Sequence, residues 1–505
     1  MESDMNAPSF SWRDKAWSLL RERPFTISGG ILLLVVAIPF CRRHDSEWEQ
    51  VYIRAAARLC SGEEMYRMRD AYLYPPFMAW TALPFLSLSA RASRLLWLAI
   101  NGLSLIALYR WSWQTAGGGR LEGAGKVPRR ERLAAVLGAL CGISYLQNCL
   151  AHQQTDIVLG AMLAGGCLLL TRGRFIWAAT SFGLAAACKC TALLWMPYLL
   201  WRRRPVAAVW LFIVAIGANL LPNLVRPAPD GGLWVRNFAT SFLMPLTESE
   251  RYLGTWGSDP IYNQSLVGLG HRWCTTTIAW SVSECAVQPR LPLLDPQALR
   301  IGIIAAAVAI LGIVVWICGR PFRPIVDDNR GSLLALECGI VLLLMLLLSP
   351  MSSKAHFGTT TLAAFCLARS ALSTRGRIIS ALLAGSLLLG MAGNKDPLGE
   401  RLYTLSLWYG IVTWQTLLLL AGCLLIYRRT KGRIVEPIPY PRYALGGLFG
   451  SKKPRNRGAS RFKVEMEASP ITLSSDCRGE DRASASVPHE NRAVDLLSSS
   501  PTSAG

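Results

Sequence analysis

Charged residues are scarce in this chain. They make up 17% of its 505 residues, whereas 52% are hydrophobic. This balance excludes an ordinary soluble domain, in which about a quarter of the residues are charged. The chain also lacks both glycine-rich fingerprints that cradle nucleotides, Gly-x-x-x-x-Gly-Lys-Ser/Thr and Gly-x-Gly-x-x-Gly. A nucleotide-dependent activity on a polar domain is therefore not indicated.

Long apolar runs are what the chain has instead. They recur with the length that a helix needs to cross about 30 Å of hydrocarbon, and helices satisfy their own backbone groups in lipid. The candidate segments are 24–40, 75–89, 92–112, 133–150, 155–171, 175–188, 190–201, 205–222, 296–318, 332–349, 356–373, 378–393 and 404–427. We expect an all-α polytopic membrane protein with about twelve transmembrane helices, or about ten or eleven. Prolines interrupt segment 75–89, which we expect not to cross.

The positive charge indicates topology. The net charge is +21, and its Lys and Arg residues cluster in short connections between apolar runs. Such connections are typically cytoplasmic. The excess of basic residues is therefore explained by membrane topology, and we expect no nucleic-acid binding. Three regions follow: a cytoplasmic N-terminal segment 1–23, a transmembrane domain 24–427 and a disordered cytoplasmic tail 428–505. The tail is Ser-rich and has no hydrophobic periodicity.

The other polar residues collect on the predicted external side. The first external stretch contains "HDSEWEQVY", with Asp45, Glu47 and Glu49 close together. One of these carboxylates could serve as a general base that takes a proton from an acceptor hydroxyl. The alternative is a solvated acidic helix start, because acidic residues stabilise helix N-termini. The following "WEQVYIRAAARL" predicts an amphipathic helix that stops at Gly62.

Two further external segments are rich in hydrogen-bonding groups. In "AHQQTDIVLG", Gln154 and Asp156 could bind sugar hydroxyls, although Asp156 could also cap the helix that follows. The longest external loop contains "YNQSLVGLGHRW", where donors and acceptors alternate with aromatic faces. Its candidate sugar ligands are Asn263, Gln264 and His271, and the alternative is an ordinary solvated loop.

Cationic residues complete the external set. Lys189 lies between two apolar runs, and Lys354 and His356 lie in "LSPMSSKAH", a tight connection between two strong candidate spans. A Lys in hydrocarbon costs about 2.5 kcal/mol or more, so Lys189 either snorkels to the surface or meets an anion such as a lipid phosphate. Lys354 and His356 could form a phosphate clamp, and the alternative is a short turn that is polar because it is solvated. Cys274 and Cys285 share the long loop and would pair if that side is oxidising.

Six segments in order carry a resemblance to a known family: "VYIRAAARLCSGEEMY", "YLYPPFMAWTALPFLSL", "HQQTDIVLGAML", "GLAAACKCTALLWMPYLLWRRR", "YNQSLVGLGHRW" and "LSPMSSKAH". Together they resemble glycosyltransferase family 87, membrane enzymes of the C-type superfamily, over residues from about 20 to 427. The resemblance implies the C-type fold, with extracytoplasmic loops forming the site in a bacterial inner membrane. It also implies inverting transfer of a sugar, often mannose, from a polyprenyl-phosphate donor to a lipid or glycan of the cell envelope.

The resemblance leaves the base open. The family has an Asp about four residues before a Tyr that leads into an Ala-Ala helix. By spacing this chain offers Glu47 or Glu49, and by residue type it offers Asp45. The usual Gly-Gln pair is replaced by "QQTD", in which Gln154 and Asp156 hold the matching positions.

The mechanism that follows requires no metal or other cofactor, because cationic side chains can neutralise the departing phosphate. Lys354, His356, Arg272 and Lys189 are the candidates for that role. The alternative is that the external carboxylates bind a divalent ion. The expected partners are the polyprenyl-phosphate sugar, the acceptor and the membrane, and the oligomeric state is left open. The alternative functions are a multi-pass lipid or sugar transporter or flippase, and a non-catalytic scaffold. A transporter would place ionisable residues deep within its spans on both sides.

Overall fold

The structure of the protein is a computed structural model that describes residues 38, 40, 42, 46–66, 72–119, 121, 127–244, 260–274, 294–319, 331–374 and 376–431. Regular structure within these ranges is helical, and no strand occurs in them. The predicted all-α class is thus confirmed for the described part of the chain. The N-terminal segment 1–23, Asp45, Cys285 and nearly all of the predicted tail lie outside the described residues.

The α-helices are numbered here in chain order. They are α1 Arg54–Ser61, α2 Pro76–Ala82, α3 Ala90–Thr115, α4 Arg129–His152, α5 Asp156–Thr171, α6 Phe175–Cys188, α7 Trp195–Trp201, α8 Pro205–Leu220, α9 Pro222–Val225, α10 Trp234–Phe238, α11 Leu266–Cys274, α12 Pro296–Cys318, α13 Gly331–Leu347, α14 Thr361–Thr374, α15 Arg377–Ala392, α16 Lys395–Trp408 and α17 Ile411–Lys431. Short 3-10 or π-helical segments cover Trp48–Ile53, Leu83–Ser87, Cys190–Leu194, Ala239–Leu243, Pro260–Tyr262 and Lys354–Thr360.

Among the described residues, 5 helices are long and apolar enough to cross a membrane: Ala90–Thr115, Arg129–His152, Pro205–Val225, Gln297–Cys318 and Ile411–Lys431. Shorter apolar helices cover Asp156–Thr171, Phe175–Cys188, Cys190–Trp201, Leu333–Leu347 and Arg377–Ala392. These lengths and compositions are those of a membrane protein. The count of about twelve crossings stays a prediction.

The helices pack in a chain of close pairs: α3 against α5, α5 against α6, α6 against α8, α4 against α14, and α15 against α17. Small residues allow the backbones to approach, as is usual between membrane helices. At Gly138 of α4, an added Cβ would lie 2.4 Å from a ring carbon of Phe365 on α14. The close packing of α4 on α14 therefore requires glycine at position 138. Helix α4 also lines one wall of the cavity described below.

The predicted amphipathic helix forms and ends where the sequence indicated. A π-helical turn at Trp48–Ile53 runs into α1, and Gly62 caps α1 with φ of +77°, a left-handed conformation that favours glycine. The indole of Trp48 stacks on that of Trp97 from α3, with centroids 3.8 Å apart, and its Nε1 donates to Ser93 Oγ at 3.2 Å. Helix α3 thus anchors the residues around Glu47.

Two predicted segments differ from the observed helices. Segment 356–373 becomes α14 only at Thr361, because Ser353 and His356 form a capping box that starts the 3-10 turn Lys354–Thr360. Segment 404–427 is divided at Gly410, whose φ is +71° and which separates α16 from α17. Helix α17 continues to Lys431, four residues beyond the predicted boundary at 427.

Candidate active site

One large cavity brings together polar residues from distant parts of the chain. Its volume is about 1360 Å³, and its lining includes Glu47, Gln154, Lys189, Lys354 and His356. These residues come from the first described helical segment, the turn after α4, the turn after α6 and the turn before α14. Glu47 thus shares one cavity with Lys189 and Lys354, although the three residues are far apart in the chain.

Glu47 faces the cavity and is held by an amide. Gln154 Nε2 donates a hydrogen bond to Glu47 Oε1 at 2.6 Å. The side-chain amide has no charge, so it orients the carboxylate and leaves it able to accept a proton. Sequence alone left Glu47, Glu49 and Asp45 equivalent. The cavity distinguishes the two Glu residues, and Asp45 lies outside the described residues.

Glu49 has a different environment. Its carboxylate forms a bidentate ion pair with Arg94 of α3. Arg94 Nε is 2.8 Å from Glu49 Oε1, and Arg94 Nη2 is 3.0 Å from Glu49 Oε2. Arg94 is buried, and Glu49 is not among the described residues that line the cavity. The ion pair links the Trp48–Ile53 turn to α3. Glu49 therefore has a structural role, because a buried Arg needs a fixed counter-charge.

The turn that carries Gln154 is conformationally constrained. Gln153 has φ of 56° and ψ of 39°, a left-handed conformation that is uncommon outside glycine. Its carbonyl accepts a hydrogen bond from Trp97 Nε1 at 3.1 Å, and its Nε2 donates to Phe40 O at 2.5 Å. These contacts fix the turn in the chain that follows α4, and the turn directs the side chain of Gln154 towards Glu47.

Asp156 is buried and forms an ion pair with Lys189, which lines the cavity. Lys189 Nζ is 2.9 Å from Asp156 Oδ1, and His356 Nε2 is 3.9 Å from Asp156 Oδ2. The sequence assigned Asp156 to sugar binding and Lys189 to phosphate binding, but the structure brings the two together as an ion pair. Asp156 is not among the described lining residues, whereas Lys189 and His356 are.

His356 is a neutral donor. Burial, together with the charge of Lys189, lowers its pKa to about 3. The backbone N–H of Ser353 donates to His356 Nδ1 at 3.1 Å, which leaves the proton on Nε2, directed at Asp156. A pKa this low favours a neutral imidazole near pH 7, in place of the cationic role predicted for His356 in a phosphate clamp. It can still donate one N–H bond.

Lys354 occupies another part of the cavity lining. Its Nζ donates to Asn394 Oδ1 at 3.2 Å and lies 5.1 Å from the ring centroid of Tyr403. Lys395 is also in the lining, where its Nζ is 3.3 Å from Glu400 Oε1. Sequence reasoning missed Asn394 and Tyr403, because nothing in their local pattern links α16 to the turn before α14.

Asn263, Gln264 and Arg272 form a buried brace. Asn263 Nδ2 donates to Pro350 O at 2.9 Å, and the backbone N–H of Gln264 donates to Ser352 O at 2.7 Å. Arg272 Nε donates to Trp408 O at 3.0 Å. None of these three is among the described residues that line the cavity. The geometry supports a role in holding the Pro350–Ser352 turn, two residues before Lys354, in place of the direct ligand roles expected from sequence.

His271 belongs to the same buried region. It lies on α11 beside Arg272, and burial lowers its pKa to about 4. It is outside the described cavity lining as well. The neighbouring Tyr262 does line the cavity, so the "YNQS" motif presents its aromatic ring to the cavity and turns its amides inward.

Apolar helices long enough to cross a membrane, and a cavity lined by apolar side chains with carboxylates and lysines among them, indicate a membrane protein. A comparison with protein families identifies it further. The model of glycosyltransferase family 87 matches residues 72–350, more than half of the 505 residues. The chain belongs to glycosyltransferase family 87, as the resemblance implied, and the family supports glycosyltransferase activity.

The family match has limits along the chain. It includes Gln154, Asp156 and Lys189, but Glu47, Lys354 and His356 lie outside residues 72–350. A search of the curated proteins finds no match. The roles of the residues at the two ends of the domain therefore depend on the geometry of the cavity.

Proposed function

We propose that the protein transfers a sugar, mannose or a similar hexose, from a polyprenyl-phosphate donor to a lipid or glycan acceptor of the cell envelope, with inversion at the anomeric carbon. The observation that carries this proposal is the shared cavity of Glu47 and Lys354. A transferase of this kind needs a base for the incoming hydroxyl and a cation for the departing phosphate, and both are available in one space. Membership of glycosyltransferase family 87 agrees with the reaction class.

Glu47 is the proposed general base. Its carboxylate takes the proton of an acceptor hydroxyl while that oxygen attacks the anomeric carbon from the face opposite the phosphate. The new glycosidic C–O bond forms as the C–O bond to phosphate breaks, and the bonding electrons leave with the polyprenyl phosphate. Gln154 keeps Oε1 of Glu47 in place, so the base does not need to reorient during the reaction.

Lys354 is the proposed partner of the leaving phosphate. Lys354 lines the cavity together with Glu47, and its Nζ donates to Asn394 Oδ1 at 3.2 Å. An ammonium group carries three N–H donors, so Lys354 can also donate to a phosphate oxygen. A preorganised cation stabilises the charge that grows on the phosphate oxygen in the transition state. His356 can add a neutral N–H bond.

The cavity lining suits a lipid-linked donor. It includes apolar and aromatic side chains such as Phe40, Phe242 and Met351 beside the polar residues. A prenyl chain requires apolar surface, whereas the phosphate and sugar require polar groups. We place the cavity at the extracytoplasmic end of the helices. The short connections that are rich in Lys and Arg are typically cytoplasmic, and the cavity residues come from other connections.

The test is reconstitution with defined substrates. Purified protein in envelope-lipid vesicles is incubated with polyprenyl-phosphate mannose, and products are identified by mass spectrometry. Proton NMR of the product then gives the anomeric configuration, which should be opposite to that of the donor. Retention of configuration, or an absence of transfer with polyprenyl-phosphate hexoses, would contradict the proposal. A flippase would move the donor across the vesicle bilayer without forming a glycoside.

A further inference from the structure

The C-terminal part of α4 carries a polar face that the proposed chemistry does not use, and only its last member, His152, belongs to a quoted sequence motif. Ser144, Gln147, Asn148 and His152 all line the cavity. Their spacing of three, four and eight residues places them on one side of the helix. Helix α4 as a whole, Arg129–His152, is long and apolar enough to span a membrane. Polar residues in such a helix are costly in lipid, and facing a cavity is the usual reason for their presence.

The hydroxyl of Ser144 supplies an independent observation. Ser144 is 2% exposed, and its Oγ has no hydrogen-bond partner among the residues that the structure describes. A buried polar group without a partner costs free energy, and native proteins satisfy nearly all such groups. A ligand hydroxyl reaching this part of the cavity would supply the missing bond.

The chemistry of the face selects its ligand. Gln147 and Asn148 are neutral amides, each with two N–H donors and a carbonyl acceptor, and Ser144 adds a hydroxyl. A phosphate would require a cation, and a prenyl chain would require an apolar wall. Clustered neutral donors and acceptors match the hydroxyls of a sugar ring. We infer that this face of α4 is a binding subsite for sugar-ring hydroxyls, an inference that rests on the proposed transferase function.

The position of the face assigns the ring to the acceptor. His152 ends α4, and Gln154, two residues later, holds Glu47. The polar face therefore leads to the base, and the base must meet the acceptor hydroxyl. Ser144 and His152 are about 12 Å apart along the helix axis at 1.5 Å per residue. That length leaves room for more than one sugar ring, so an acceptor with two or more sugars would fit along the face.

The kinetic test compares Gln147→Ala, Asn148→Ala and the double variant with Gln114→Ala. Gln114 is an amide on α3 that accepts from Arg172 and is not part of the described cavity lining, so it is a matched control. Transfer is measured over a range of acceptor and of donor concentrations, and slow transfer of the donor sugar to water is measured without acceptor. We expect the double variant to raise the KM for acceptor about tenfold. Donor KM and the reaction with water should match those of the control.

The kinetic outcomes separate the two possible rings. A rise in the acceptor KM alone supports an acceptor subsite. A change in the donor KM and in the reaction with water supports the same subsite with the donor's ring in it. If neither KM differs from that of Gln114→Ala while the wild type transfers sugar, the subsite is wrong and the proposed function stands.

A binding experiment tests the subsite without any turnover. Saturation-transfer NMR is recorded for wild type and variants with methyl hexopyranosides and a methyl glycoside of a disaccharide. We expect a saturation signal for the wild type that falls in the double variant and in Ser144→Ala. Ser144→Ala removes an unpaired hydroxyl, so its thermal stability should be unchanged or higher. Equal signals for the wild type and the double variant would overturn the inference, even if no transferase activity were found.

Discussion

Gln154 Nε2 and Glu47 Oε1 lie 2.6 Å apart, and this single hydrogen bond joins two segments separated by 107 positions in the chain. Gln154 follows a left-handed residue that ends α4, and Glu47 precedes a turn that is stacked on α3. Both partners are thus placed by rigid neighbours. The bond gives the carboxylate one fixed orientation towards the cavity.

Removal of this hydrogen bond should change the pH dependence of transfer. A carboxylate that loses a donor holds its proton more tightly, so in Gln154→Leu the acidic limb of the rate profile should move to higher pH. Gln154→Glu should move it further, because two carboxylates would then lie side by side. The measurement is kcat/KM between pH 4.5 and 8. Profiles that coincide with the wild type would show that Gln154 does not act on the base.

Lys354 should matter for chemistry more than for binding. In Lys354→Gln we expect kcat to fall about 100-fold or more, because the cation acts on charge that develops in the transition state. Lys354→Arg should recover part of the rate. Lys395→Gln is the control, because Lys395 lines the same cavity but its side chain is 58% exposed, whereas Lys354 is buried. Equal losses in the two Gln variants would contradict a specific role for Lys354.

The sequence pointed to the stretch that contains the proposed base but could not choose among its carboxylates. Glu47 and Glu49 are two positions apart, and either satisfies the spacing. What separates them is Arg94, whose side chain meets Glu49 after α3 folds back. A contact between residues 45 positions apart leaves no signal in one sequence. Only the folded structure therefore distinguishes Glu47 from Glu49.

The Asp156–Lys189 pair should contribute to stability. Asp156→Asn leaves the ammonium of Lys189 without its counter-charge in a largely buried position, and we expect a loss of about 3 kcal/mol. The double variant Asp156→Asn/Lys189→Met removes both charges and should recover part of that loss. Thermal unfolding in detergent, analysed as a double-mutant cycle, measures the coupling. Additive losses would show that the pair is not coupled.

His356 and His271 should make the protein less stable in acid. Burial lowers their pKa values to about 3 and about 4, whereas a His in the unfolded chain titrates near 6.5. Their neutral forms favour folding above pH 6.5, and that stability is lost as pH falls towards the folded values, because the unfolded chain takes up the protons.

The corresponding measurement is the melting temperature at pH 7 and pH 4.5. The decrease between the two values should be smaller in His356→Asn/His271→Asn than in the wild type, whatever the absolute temperatures are. A decrease of the same size in both proteins would place the acid sensitivity elsewhere. The activity of the wild type between pH 6 and 8 should show no step due to His356.

Hydrophobic pattern predicted most helices within a few residues, because the apolar runs are separated by Arg clusters, Gly and Pro. The polar face of α4 also carried a sequence signal, since Ser144, Gln147 and Asn148 interrupt an apolar run at helical spacing. The brace of Asn263 and Arg272 carried none. Its residues look like ligands, and only their contacts with Pro350 and Trp408 show that they support a turn.

The most direct test of the account compares Glu47→Gln with Glu49→Gln in the reconstituted transfer assay. Glu47→Gln should lower kcat by about 100-fold or more with an unchanged melting temperature, because it removes the base and keeps the shape of the side chain. Glu49→Gln should lower the melting temperature, since buried Arg94 loses its counter-charge, while the folded enzyme keeps turning over. Full activity in Glu47→Gln, or loss of chemistry with normal stability in Glu49→Gln, would contradict the assignment of Glu47 as the base.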